Sequence, residues 1–162
     1  MTAPPSAESL RLPDGYGQPS GETLPWTEVS QRLAEAPRYW LATVRPDGRP
    51  HVVPTDGLWV DDELWFSGSS QTVHLRNLRQ NPSAAAHLED GRRAVIVEGR
   101  AEPIVPSPEQ ARGLAELSRS KYGFAPPPDA YAAGIWRLSP VRVLAWNDFP
   151  HDATRFRFGR GQ

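Results

Sequence analysis

The chain has 162 residues, enough for one domain with a substantial core, and its formal net charge of -1 with a pI near 6.4 leaves no electrostatic footprint for a nucleic-acid backbone. It contains no cysteine, which removes disulfides, thiolate catalysis and thiolate metal sites. No apolar run approaches the ~20 residues of a membrane span and no charged-then-apolar leader opens the chain, so a cytoplasmic protein with neither a membrane nor a nucleic-acid partner is expected.

Residues 1–22 are rich in Pro, Ser and Gly without apolar periodicity, which predicts a mobile tail, or an arm clasping a partner subunit, ahead of a single domain over 23–162. Trp26, Thr27 and Glu28 open a helix whose stripe is Val29, Leu33 and Ala36, placed to cap a barrel end. Tyr39 to Arg45 alternates so that Trp40, Ala42 and Val44 share one face, and Asp47-Gly48 supplies the positive φ angles of a tight hairpin. A second strand spans about His51 to Val60, bulged or bent at Pro54 and Gly57. Asp61-Asp62 turns into a third strand, Glu63 to Ser67. The SGSSQT loop then leads into a helix near Thr72, where bare backbone amides attract anions.

Further on, Ala84 to Leu88 and Ala94 to Val105 read as strands joined at Asp90-Gly91, with Val95, Val97, Gly99 and Ala101 on one side. Ser107-Pro108-Glu109-Gln110 combines an N-cap, a first-turn proline and a capping-box Gln, so a helix runs to about Ser120. Pro126 to Pro128 forces an extended connector, and the last strands are Ile135 to Trp146 and Thr154 to Phe158, the latter with Phe156 and Phe158 inward. The sum is mainly β (α+β): six or seven antiparallel strands in a closed barrel with two or three flanking helices.

With WLATVRPDGRPHVVP, WFSGSS, T-x-H-x-RNLRQNP, VIVEGRAEPI and a W-x(8)-RFRF ending in place, the stretch from Leu24 to Phe158 resembles the pyridoxamine 5′-phosphate oxidase-like split β-barrel superfamily. RPDGRPHVVP and TRFRF look most like its flavin/deazaflavin oxidoreductase branch. The resemblance implies a split barrel, a cofactor that is coenzyme F-420, FMN or, in some relatives, haem, and a site between two subunits of a homodimer. Six tryptophans in a small domain fit the large apolar contacts that a homodimer needs.

Carried over residue by residue, the resemblance places Val53, Pro54, Thr55, Phe66, Ser67, Ser69 and Thr72 around the flat cofactor. It departs at Val73-His74, where FMN-binding relatives commonly carry the basic residues that clamp a phosphate. Thr72, Arg76 and Arg79, at i, i+4 and i+7, form either a substitute clamp or a solvated stripe. His74 is a packing histidine or a ligand; for haem, His51 or His74 would be the axial candidate. Trp146 and Arg155 resemble a Trp and Arg pair that approaches the flavin, against a plain reading as core filler and solvated charge.

Lys121 is the only lysine among eighteen basic residues, so anionic ligand groups must be met by Arg, His or backbone amides, and the Arg, Ala and Pro usage suggests a bacterial, GC-rich source. The four histidines form no metal-binding spacing, and there is no G-x-S-x-G, P-loop or G-x-G-x-x-G. The expected activity is hydride transfer from reduced coenzyme F-420 to a small conjugated acceptor, with Thr55, Ser67 or solvent supplying the second proton. An FMN-dependent oxidase or reductase is the alternative, followed by a non-catalytic flavin, deazaflavin or haem carrier.

Overall fold

The computed structural model describes residues 3–127, 130–131 and 134–159. In chain order the elements are β1 (Ser6–Ser9), α1 (Trp26–Glu35), β2 (Tyr39–Val44), β3 (Pro50–Thr55), β4 (Leu58–Val60), β5 (Glu63–Phe66), α2 (Val73–Gln80), β6 (Ser83–His87), β7 (Val95–Ile104), α3 (Pro108–Tyr122), β8 (Ile135–Ala145) and β9 (Thr154–Arg157). All strand pairs are antiparallel, and the main path runs β1-β9-β8-β7-β6-β2-β3.

The barrel forks at β8. Its first half pairs with β5, from Leu64 opposite Leu138 to Phe66 opposite Trp136, and its second half pairs with β9, from Arg142 opposite Arg157 to Ala145 opposite Thr154. The same long strand holds β7 along its other edge, with a register shift between Glu98 and Gly99. Gly99 is required there: a Cβ would stand 2.9 Å from the Ser139 carbonyl carbon and closer still to its oxygen. The barrel is therefore split rather than closed, because one long strand, β8, feeds two neighbours, β5 and β9.

Nine strands replace the six or seven expected. Part of the increase comes from Asp56-Gly57, which breaks the second strand into β3 and β4; Gly57 is buried there, with an added Cβ 2.8 Å from Leu64 Cδ1. Part comes from β1 inside the stretch read as a tail, whose Ser6 to Ser9 pair with Arg157 to Thr154. An exposed strand without apolar alternation leaves no periodicity to read; it is held by the backbone of β9 and by its own Glu8, which bridges Arg155 and Arg157 at 3.2 and 2.8 Å.

The β2–β3 turn also differs in type. Only Gly48 has positive φ, at 83°, with Gly48 N donating to Arg45 O and Arg45 N to Arg49 O, so Asp47 stays in the ordinary region. Asp61 and Asp62, by contrast, both sit at positive φ, 52° and 62°, as a two-residue hairpin needs. In β2 the face shared by Trp40, Ala42 and Val44 is the outward one; Tyr39, Leu41 and Thr43 face the core.

Inside, Leu41, Leu64, Phe66, Val95, Val97, Leu138, Val143 and Phe156 form the main core. Helix α1 closes one end through Val29 and Leu33, both essentially unexposed and each stabilising by ~1.5–3 kcal/mol. Trp26 meets Phe156 and Phe158 at 5.0 and 5.2 Å between ring centroids. A second cluster seats α3 on Leu58, Trp65 and Ile135. That helix starts with the expected capping box, Ser107 Oγ accepting from Gln110 N and Gln110 Oε1 accepting from Ser107 N. The connector expected at Pro126 to Pro128 lies partly outside the described residues.

Candidate functional site

Helix α2 lies across the β2–β3 end of the sheet. A buried hydrogen bond from Asn77 Nδ2 to Thr43 Oγ1, 3.0 Å long, pins it there, while Leu75 and Leu78 sink into the core. The loop before it, Ser67 to Gln71, is exposed and held as a turn in which Ser69 O accepts from both Thr72 N and Thr72 Oγ1, at 2.9 and 2.8 Å. Thr72 is the N-cap residue, yet its hydroxyl points back into the loop and caps no helical N–H. The first amides of α2 thus have no side-chain acceptor.

Beside that helix start stand two histidines. His74 is 8% exposed, its Nε2 is 3.5 Å from Thr72 Oγ1, and Gly68 leaves it room, since a Cβ there would be 3.4 Å from the same nitrogen. His51 is half-buried on β3 opposite Thr43, and its Nδ1 is buried without a hydrogen-bond partner. Desolvation, and then the charge of Arg45, hold the His51 pKa below the usual imidazole range. Desolvation, and then His51, do the same for His74. Both shifts favour the neutral ring at pH 7, and the unpartnered nitrogen of His51 is itself buried.

The remaining expected residues divide by strand parity. Val53 and Thr55 share the core-side face of β3 with His51, whereas Pro54 faces outward against Trp40. Thr55 Oγ1 is spent on Asp56 O at 3.1 Å. The Phe66 ring is 2% exposed and packs in the main core. Ser67 and Ser69 are exposed, and Ser69 Oγ accepts from Gln71 N.

Of the expected stripe of Thr72, Arg76 and Arg79, both arginines are exposed, and they line different clefts. Arg76 opens into a cleft shared with Arg45 and Arg49, while Arg79 donates to Ser70 O and lines a different cleft beside Trp136 and Arg100. An eight-residue helix presents each face to a different neighbour, so an i, i+4, i+7 spacing across its flank diverges once both flanks are packed. Missed in the sequence were Arg45, Arg49 and Gln80. Their signal was available: the Gly48 turn sets positions 45 and 49 side by side, and 73, 76, 77 and 80 share a helix stripe.

Trp146 and Arg155 lie far from this end. Trp146 is half-buried against Phe149, with ring centroids 5.2 Å apart. Arg155 is on the outward face of β9, its Nη1 on Glu8 and its Nε buried without a partner. Five strand steps separate β9 from β3 along the sheet, about 24 Å of hydrogen-bonded spacing at ~4.8 Å each. A cross-strand row on the outward face connects them in register: Pro54, Trp40, His87, Ile96, Leu144, Arg155. Trp40 stacks on His87 at 14° between planes, and Val44 and Val52 beside the row are 36% and 52% exposed. In one copy, the His51 end and Arg155 therefore belong to opposite faces.

A forked antiparallel sheet with a short helix laid across one end defines a split-barrel protein. A family model described as pyridoxamine 5′-phosphate oxidase matches residues 26–147, and the chain belongs to that family. It is 29% identical over 154 aligned positions to the pyridoxine/pyridoxamine 5′-phosphate oxidase of Bradyrhizobium diazoefficiens, covering 72% of this chain and 71% of that one. Among solved structures it resembles an F-420 reductase, at 30% identity and TM-score 0.54 over 82% of this chain and 98% of that one. The fold is also that of the conserved hypothetical protein Rv2991 of Mycobacterium tuberculosis, with TM-score 0.66 and 24% identity over 80% and 89% of the two chains. Among the described residues, no helix is long and apolar enough to cross a membrane and no group of three potential metal ligands occurs.

Proposed function

We propose that this protein is a cytoplasmic oxidoreductase that binds reduced coenzyme F-420 at the β3–α2 end and transfers a hydride to a small conjugated acceptor. The observation that carries the reading is the exchange of basic groups: Val73-His74 stand where an FMN phosphate clamp would be, and arginines gather instead at the hairpin tip. Likeness to an F-420 reductase along nearly all of that protein's length supports the same choice.

The residues present suit a flat heterocycle with an anionic extension. The orphaned Nδ1 of His51 and the uncapped amides opening α2 offer polar contacts for a ring edge, and Gly68 keeps the loop low beside His74. When bound and reduced, such a cofactor supplies the hydride. The protein's own part is to orient it, exclude water on the core-side face and hold a neutral imidazole at His51 within the site.

The site is shared by two copies. The outward face from Pro54 and Trp40 to Leu144 and Arg155 is apolar at one end and ends in an arginine with an unpartnered buried nitrogen. Pairing two such faces would bury Arg155 of one copy against the outward row of the other. Sedimentation of the purified protein tests this, with a dimer expected.

An FMN-dependent oxidase or reductase is the second reading, favoured by the identity to the Bradyrhizobium enzyme. Titrating the purified protein with coenzyme F-420, FMN and haem separates them. Saturable binding of the deazaflavin together with its oxidation on addition of a quinone or enone is expected. Tight FMN without deazaflavin affinity would reverse the order, and cofactor binding without turnover would make the protein a carrier.

A further inference from the structure

On the flank of α2 turned away from the hairpin tip, the sheet leaves a second cleft of about 550 Å³. Its origin is local. Strand β6 ends with Ser83 opposite Arg100, and Pro82, whose carbonyl accepts from Ala101 N at 2.8 Å, has no N–H to return, so the ladder stops there. Past that point β7 continues through Glu102, Pro103 and Ile104 with β8 as its one partner among the described strands. Leu78 and Arg79 of α2 line the space beside this margin.

The lining sets an apolar base under two cations. Leu78 and Trp136, at 2% and 7% exposure, form the base together with Ala101. Arg79 and Arg100 bring the charge, and neither has an ion-pair partner among the described residues. The acid in the lining, Glu102, is drawn to Arg137 Nη2 at 2.7 Å, and the Ser139 hydroxyl donates to Glu63 at 2.7 Å. Two guanidinium groups are therefore the donors left for an occupant. Arg79 has one further engagement, since its Nη1 donates to Ser70 O at 3.1 Å and so braces the loop that precedes α2.

We infer that this cleft binds an aromatic carboxylate, with the ring system over Leu78 and Trp136 and the carboxylate between Arg79 and Arg100, and that the occupant loosens the Ser67–Gln71 loop by drawing Arg79 away from it. The volume falls within the ~300–1,000 Å³ of small-molecule sites, which pair a mostly apolar wall with a few placed polar groups. An ionised carboxylate is a stronger acceptor for a guanidinium fork than the neutral Ser70 carbonyl, and Ser70 is exposed, so water takes over the carbonyl that Arg79 leaves. The loop runs straight into Thr72, the N-cap residue of α2, so a ligand on one flank of the helix alters the candidate site on the other without entering it. This holds whichever cofactor the β3–α2 end takes.

The test is calorimetric titration of the wild type, Arg100→Ala and Arg79→Ala with naphthoate and with the uncharged naphthalenemethanol, followed by amide hydrogen exchange of residues 67–72. Both arginines are exposed, so both variants should keep the wild-type urea midpoint. Naphthoate should bind the wild type at least about tenfold more tightly than the alcohol does. Arg100→Ala should weaken naphthoate about tenfold and leave the alcohol within about twofold. Saturating naphthoate should speed exchange in the wild-type loop about fivefold, the loss of one hydrogen bond, while Arg79→Ala exchanges at the faster rate with or without the ligand. No binding of either probe, equal affinity for both, or naphthoate affinity unchanged in Arg100→Ala overturns the carboxylate site. Naphthoate bound with wild-type loop exchange unchanged overturns the link through Arg79.

Discussion

Asn77 and Thr43 form a side-chain hydrogen bond at 3% and 2% exposure, and it ties α2 to β2 beneath the candidate site. Asn77→Leu removes the donor and strands the Thr43 hydroxyl in a buried position, while Thr43→Val strands the Asn77 amide. Each single change loses a bond worth ~1 kcal/mol and leaves a buried polar group costing ~1–3 kcal/mol, so a loss of about 2 kcal/mol is expected from either. In urea, with a slope of ~2 kcal/mol/M for a domain of this size, the midpoint falls by about 1 M at unchanged slope. The double variant Asn77→Leu/Thr43→Val removes both polar groups from one site. Its loss should be no greater than that of one single variant, giving a coupling of about 2 kcal/mol. Additivity within ~0.5 kcal/mol would mean that the two side chains do not share a buried bond, and α2 would lose the anchor on which the cleft geometry depends.

The two histidines make the fold acid-sensitive. Because His51 and His74 have folded pKa values below the ordinary imidazole value, the unfolded chain takes up protons first; their contribution is complete above about pH 6.5 and is lost as pH falls through the depressed values. Urea midpoints at about pH 7.5 and 5.5 should show a drop that shrinks in His51→Asn/His74→Gln; an unchanged drop would place the acid sensitivity elsewhere. Gly99→Ala should cost about 3 kcal/mol, at the upper end for overpacking, because the new methyl meets the Ser139 backbone and no flexible side chain can yield. Wild-type thermal stability in that variant would contradict the tight bulge. Lys121→Met should cost less than about 1 kcal/mol even though the amine makes bonds to Tyr39 Oη and Gly57 O. Burial pushes that amine down to about 8; without it, Tyr39 still donates to Leu33 O, and Gly57 O still accepts from Tyr122. A loss above about 2 kcal/mol would show that the amine staples α3.

Much of the architecture was legible because alternation and turn chemistry are local. The Asp61-Asp62 hairpin, the Ser107 capping box and the Val29/Leu33 stripe each follow from residues within one turn or one ladder rung. The fork at β8 was not legible, since whether one strand edge serves one neighbour or two is decided by partners far away in sequence. Strand β1 carries no pattern of its own and is placed by β9. At the site, parity within β3 was readable but not its meaning: Val53 and Pro54 were grouped, and the fold turns them to opposite faces. Arg76 and Arg79 show what spacing leaves open. Helical spacing predicted a shared flank, but the hairpin tip on one side and the Trp136 cleft on the other separate them.

Strand β3 ends the main path with β2 as its one partner among the described strands, and such a margin ordinarily invites a foreign strand to add on. Pro50 and Pro54 stand two positions either side of Val52. A proline in a ladder belongs where its missing N–H would have looked outward, so along this margin Val52 alone keeps an outward donor. Runaway fibre growth by strand addition is thereby starved of hydrogen bonds at this border. Concentrated solutions of the protein should stay clear.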